Sequence, residues 1–207
     1  MTTEIYRKAR RHLARRDPVL KKLMSTIGPC TLQPSMDGFA ALVKSIISQQ
    51  ISTKAAKAIA LRLEQALGRH GTTPRGILKL SKESMRGAGL SESKTKSLRD
   101  LAEKVQRGVV PLASLREMDD EQVIENLIPV RGIGRWTAEM YLIFSLGRLD
   151  VLPVDDFGLR TSVRRHYGFR ELPVKKEIVE LAEPWRPYRS IATWYMWRSL
   201  GNVPQSK

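Results

Sequence analysis

Asp155 and Asp156 are adjacent carboxylates that follow a Pro-Val step and open an apolar-periodic segment. Proline biases the residue before it towards an extended conformation, so the pair sits where an extended chain turns into a helix. Most aspartates at such a position only cap the helix. A carboxylate in a cleft can also orient a water or stabilise positive charge developing on a bound substrate such as a sugar. Glycoside hydrolysis runs through such an oxocarbenium-like state. Position lifts this pair above a plain cap: Asp156 lies twenty-four residues after Gly132, one turn-helix-loop unit from a second chemical feature.

That second feature is the glycine turn Val130-Arg131-Gly132-Ile133-Gly134, set between two apolar-periodic segments. Gly132 and Gly134 allow positive φ or a close backbone approach. The amides of Ile133, Gly134 and the next helical turn, as far as Thr137, then point outward, where the helix dipole favours an anion. Arg131 and Arg135 flank that position. Glycine serving only a tight helix–helix turn is the structural alternative. The following Arg-Trp-Thr-Ala favours a helix-hairpin-helix, which grips DNA backbone without reading sequence.

Two further groups bear on chemistry. The tryptophans, Trp136, Trp185, Trp194 and Trp197, all follow residue 130, joined by Tyr141, Tyr188 and Tyr195. Some must be core, but electron-rich rings near an acid also suit an extruded cationic base. Ser48-Gln49-Gln50-Ile51-Ser52 places polar amides between two helices. It reads either as loop filler or as a wedge filling the gap left by a departed base.

Composition agrees with a polyanionic partner. The 207 residues carry 36 Lys and Arg against 21 Asp and Glu, a net charge of +15, and neutralising phosphates releases condensed counterions. A merely basic or ribosome-associated protein is the bland alternative. The single cysteine, Cys30, excludes an intrachain disulfide framework and a Cys-only zinc or iron–sulfur site. His12, His70 and His166 have no ligand-like spacing. No apolar run reaches the length of a membrane span. The Arg-rich start contains Glu4 and Asp17 and runs into Val19, Leu20 and Leu23, so it reads as a first basic helix and not as a transit peptide.

The elements that position these residues are all helical by period. Asp37 is placed to cap a helix burying Phe39, Leu42, Val43, Ile46 and Ile47, and Ser52 or Thr53 starts the next, ended by Gly68. Thr73-Pro74, Ser81, Ser91 and Asp119 mark further starts. The helix after Ser91 turns Leu98, Leu101, Ala102 and Val105 inward. Later helices are expected over Phe157 to Tyr167, around Ile178, and from Tyr188 to Leu200, with a frayed tail from Gly201. The expectation is one all-α unit of two lobes. The central lobe covers about 37–115, and the second covers about 1–36 plus 116–207 with the helix-hairpin-helix at about 120–146.

At SQQIS (48–52), GLSESK (89–94), GIGRWTA (132–138), PVDDFGLR (153–160) and WRPYRSIATWYMW (185–197), the chain resembles the helix-hairpin-helix (HhH-GPD) DNA glycosylase superfamily, specifically its 3-methyladenine DNA glycosylase II branch. The resemblance implies an all-α fold of two helical lobes with a cleft between them, and an invariant acid at Asp156, with Asp155 as fallback. It implies a base pocket from Trp136, Met140, Trp197 and Phe39. DNA contacts would come from Gln50, Gln49, Arg131, Gly132, Ile133, Gly134, Arg135 and Thr137. Trp136 falls where lyase-type relatives carry a catalytic lysine, and tryptophan cannot form a Schiff base.

A monovalent cation held by the backbone carbonyls of Leu127, Val130 and Gly132 is a further implication, with no required cofactor and no iron–sulfur cluster. Arg131 replaces the family's usual proline, and the chain has no room for the N-terminal β-domain of larger members. The expected function is monofunctional, hydrolytic excision of alkylated purines from damaged double-stranded DNA by a monomer with no membrane partner. It would work in the cytoplasm or nucleoid if bacterial, in the nucleus if eukaryotic, and would not be secreted. The alternatives are a bifunctional glycosylase/lyase for oxidised bases and a non-catalytic binder of DNA structure.

Overall fold

The computed structural model describes residues 3–34 and 38–201, and among these every regular element is a helix. None of these helices is long and apolar enough to cross a membrane. The chain divides into two compact units, residues 35–141 and residues 1–34 with 142–207.

The 35–141 unit is a succession of short helices, most of them started by a side-chain cap. α3 (Gly38–Ser48) buries Phe39, Leu42, Val43, Ile46 and Ile47, as its period requires. Asp37, its expected cap, lies outside the described residues. Ser52 caps α4 (Thr53–Leu67), Thr73 caps α5 (Pro74–Lys79), Ser81 caps α6 (Lys82–Gly87) and Ser91 caps α7 (Glu92–Gln106). Each hydroxyl accepts from the amide three residues on, typically worth about 1 kcal/mol against alanine. Asp119 and Gln122 form a reciprocal capping box on α8 (Asp120–Leu127). α7 packs against α3, α5 and α6, and buries Leu98, Leu101 and Ala102, while Val105 is only half-buried.

The expected lobe boundary near residue 115 is corrected here. The helix-hairpin-helix belongs to the central unit, which runs on to residue 141. The reason is packing: α9 (Arg135–Tyr141), the second hairpin helix, lies on α3 and α8. The unit ends where α9 gives way to a π-helical turn, Leu142–Leu146.

In the other unit the expected basic first helix is two helices. α1 (Thr3–Arg16) stops at Asp17, which caps α2 (Pro18–Ile27), with proline at the first helical position. Asp17 is buried because it does more than cap. Its Oδ1 accepts from the Leu20 amide (2.9 Å), and its Oδ2 accepts from the Tyr167 hydroxyl (2.5 Å) and the Trp185 indole (2.7 Å). α10 (Phe157–Tyr167) ends on left-handed Gly168, and α11 (Lys175–Ala182) follows. In α12 (Arg189–Ser199) residues 190–197 are all buried, so the helix is enclosed on every side and packs against α2 and α10.

Candidate active site

The hairpin is built from backbone. Val130 donates its amide to the Leu127 carbonyl and Ile133 to that of Val130, each at 3.0 Å. Gly132 has φ +79°, and a Cβ there would sit 2.8 Å from Ser97 Oγ, so glycine is required twice over. Gly134 is outside the left-handed region, and a Cβ on it would enter open space. Neither backbone conformation nor packing therefore requires glycine at this position. The Ile133 and Thr137 side chains are buried, so only their backbone amides can face one.

Polar side chains of the same unit brace this turn. Asp100 accepts the Arg131 amide at 2.7 Å and also binds the Lys104 ammonium, which in turn donates to the Pro129 carbonyl at 3.0 Å. Burial pushes the Asp100 carboxyl up, but the Lys104 and Arg131 donors outweigh it and leave the group below its ordinary range. Arg131 is exposed. Arg135, also expected on DNA, has its guanidinium engaged by Glu121 and by the buried Glu139, so a phosphate would have to compete for it.

The Gln49-Gln50 loop separates into two roles. Gln49 is turned inward: its Nε2 donates to the Gly132 carbonyl (2.8 Å) and to Thr137 Oγ1 (3.3 Å). Lys94 holds the other side, donating to the carbonyls of Ile47 (2.5 Å) and Gln49 (2.9 Å), and its partial burial lowers the ammonium pKa. Gln50 is exposed and has φ +57°. A non-glycine residue there costs about 1–2 kcal/mol, and the braces on either side hold it. Gln49, expected on DNA, has its side-chain NH2 engaged by the hairpin.

In the other unit the acid pair divides cleanly. Asp155 is exposed and ion-paired to Lys175 at 2.8 Å. Asp156 is 5% exposed and caps α10, its Oδ1 accepting from the Leu159 amide (2.6 Å) and from Trp197 Nε1 (2.7 Å). Trp197 is itself buried and stacked on Phe144, centroids 5.7 Å apart. Its indole therefore orients the carboxylate. Gly158 permits this, since a Cβ there would lie 3.1 Å from both Asp156 Oδ1 and Trp197 Cδ1.

Of the other aromatic and apolar candidates, Met140 and Phe39 are buried side chains of the central unit, and Trp136 on α9 is half-buried. Lys94, Asp100 and Gly158 were not singled out from sequence. Two had a signal: Lys94 closes the GLSESK stretch, and Gly158 is a glycine inside a helix's first turn. Asp100 looks like any solvated helical acid in sequence.

The model of the HhH-GPD superfamily base excision DNA repair protein matches residues 43–187. The chain is 32% identical over 198 residues to the alkylbase DNA glycosidase-like protein mag2 of Schizosaccharomyces pombe, covering 93% of each. It is 36% identical to DNA-3-methyladenine glycosylase 1 of that yeast, covering 93% of this chain and 86% of the relative. The solved structure of the Schizosaccharomyces pombe 3-methyladenine DNA glycosylase in complex with abasic DNA superposes with a TM-score of 0.83 at 33% identity, over 97% of this chain and 100% of that one. Sequence and backbone agree over nearly the whole length, and the chain belongs to the HhH-GPD superfamily of base excision DNA repair proteins.

Proposed function

We propose that the chain is a monofunctional DNA glycosylase that hydrolyses the N-glycosidic bond of alkylated purines, of the 3-methyladenine type, in duplex DNA. The observation that carries this reading is the fixed carboxylate. Asp156 is buried, capping and held by an indole N–H, which is the preorganised charge that a developing sugar cation needs. The family membership and the names of the relatives support the substrate class.

The 35–141 unit supplies the grip, with the hairpin amides and Arg131 on phosphate and Gln50 as the wedge. Trp136, the one expected pocket residue with appreciable exposure, supplies a stacking face for the base, with Met140 and Phe39 packed in the same unit. A base alkylated on a ring nitrogen carries positive charge, so it departs neutral with the bond's electron pair and needs no strong general acid. Water adds to the sugar carbon and gives its proton to Asp156 or to solvent. An abasic site and a free base result.

An alkali cation at the hairpin belongs to the same reading. The carbonyls of Leu127, Val130 and Gly132 each accept one hydrogen bond, the last from the Gln49 amide, and each keeps a second lone pair. Neutral oxygens of this kind fit a weakly held Na+ or K+ ion. Its role would be to stiffen the turn, and replacing both ions by tetramethylammonium at constant ionic strength would then weaken DNA binding.

Incubation with methylated duplex DNA tests the assignment. Free 3-methyladenine and an alkali-labile abasic site are expected. Binding to the duplex without release of any base would make the chain a DNA-structure binder instead. A covalent adduct trapped by borohydride would make it a lyase.

A further inference from the structure

Helix α1 and the first turn of α2 carry a concentration of charge that neither the hairpin nor the acid site uses. Residues 3–27 contain eight Lys and Arg against two acids, Glu4 and Asp17. Asp17 is buried under Tyr167 and Trp185, and Glu4 pairs with Arg7. Arg15 and Arg16 have a structural explanation, because cations in the last turn of α1 complement the helix dipole.

Arg10, Arg11 and Lys21 have none, and Arg7, paired with Glu4, stands beside them. Arg7, Arg10 and Arg11 stand at i, i+3 and i+4, so they share one helical face at about 5–6 Å between Cβ atoms, where like charges repel. Lys21 lies at the N-terminal end of α2, where the dipole disfavours a cation and the one acid, the cap Asp17, is buried and bonded to the Leu20 amide, Tyr167 and Trp185. Among the described residues no ion pair engages Arg10, Arg11 or Lys21.

These four side chains line one groove of about 730 Å³, whose floor is apolar, formed in part by Tyr6, Met24 and Leu32. The floor is tied down, as the Tyr6 hydroxyl donates to the Leu32 carbonyl and that of Tyr195 to the Gly28 carbonyl. Burial pushes the Cys30 thiol in the same wall up to about 12, so it adds no charge to the groove at neutral pH.

We propose that this groove is a second DNA-contact surface, separate from the hairpin, that holds the phosphodiester backbone. Guanidinium forks suit phosphate oxygens bidentately. An anionic ligand turns an arrangement that repels itself into one that is neutralised. The apolar floor accommodates sugar faces between phosphates. The groove lends affinity and footprint without sequence preference, and takes no part in bond cleavage.

The test uses the full chain and undamaged duplexes of increasing length, with affinity measured across a salt series. It does not depend on excision, so it separates failure of this inference from failure of the glycosylase assignment. Each phosphate contact contributes about 0.9 to the slope of log affinity against log salt. The R10Q/R11Q/K21Q variant is expected to lose roughly 2 to 3 from that slope on long duplexes and to keep wild-type single-turnover excision at saturating DNA. The R11Q/K21Q double variant, confined to exposed side chains, should lose about 2, and serves if Arg10 proves necessary for folding. An unchanged slope in the double variant overturns the inference. So does a variant-dependent affinity for phosphatidylserine vesicles with DNA binding unaltered, which would assign the groove to an anionic membrane surface.

Discussion

The hairpin of the central unit and the carboxylate of the other unit reach precision by opposite means. At the hairpin the groups that would meet a ligand are backbone amides, and side chains work from behind: Gln49, Asp100, Lys104 and Lys94 all donate to, or accept from, main-chain atoms. At the acid the group that would act is one side chain, and a second side chain and one amide fix it from behind. Backbone can be aimed by several weak braces, each replaceable. A lone carboxylate depends on one or two donors at the same oxygen, and its chemistry disappears with the residue. Losses at the acid should therefore be abrupt and confined to catalysis, and losses at the hairpin graded and visible in binding.

The largest expected effect follows directly. Asp156→Asn keeps a cap oxygen for the Leu159 amide but removes the charge, so excision should fall by about 10³-fold or more, the scale of losing a preorganised electrostatic group. Duplex affinity and thermal midpoint should stay near wild type. Single-turnover excision measured beside an anisotropy titration checks this, and excision within tenfold of wild type would remove Asp156 from its role. Asp155→Asn breaks only an exposed ion pair with Lys175 and should change neither quantity measurably.

How much of this was legible in the sequence divides along the same line. Helix starts were readable, because Ser52, Thr73, Ser81, Ser91 and Asp119 cap by local bonds that a sequence displays. Asp156 could be picked out by its spacing from Gly132, and its place at a helix start by the Pro-Val step before it. Long-range braces were not: Gln49 reaches Gly132 across 83 residues and Trp197 reaches Asp156 across 41, and nothing in local pattern distinguishes an amide turned inward from one turned to solvent. For the same reason Asp17 read as one acid inside a basic stretch, although it ends one helix, caps the next and buries itself under Tyr167 and Trp185. The lobe boundary was misplaced because α9's partners, α3 and α8, are fixed by packing.

The next effect in size concerns Lys94. Lys94→Met leaves the carbonyls of Ile47 and Gln49 without their donor, which should cost about 1–3 kcal/mol of stability and show as a lower urea midpoint with unchanged slope. The Gln50 turn loses one of its two braces, so DNA affinity should fall further than stability alone explains. A variant with wild-type affinity would show that Gln49 suffices to hold the loop.

The two hairpin glycines sharpen the contrast within a single turn. Gly132→Ala forces a left-handed alanine against Ser97 and should cost about 1–2 kcal/mol for the backbone alone. Pairing it with Ser97→Ala removes the 2.8 Å contact but not the φ of +79°, so the double variant should recover only part of the loss. Gly134→Ala meets open space and should leave the thermal midpoint nearly unchanged; if the hairpin amides hold phosphate as proposed, the added methyl group should weaken duplex binding.

The smallest effect separates the two hairpin arginines. Arg131 is exposed and anchored only through its backbone amide, whereas Arg135 is already occupied by Glu121 and Glu139. Arg131→Gln should therefore take about 0.9 from the salt slope of duplex binding, the value of one phosphate contact, equally on damaged and undamaged DNA. Arg135→Gln removes a cation whose charge two carboxylates have largely cancelled, and should take less. If Arg135→Gln proves the more costly, the guanidinium must leave its carboxylates when DNA binds. In that case Glu121→Gln, which frees Arg135 in advance, should tighten binding.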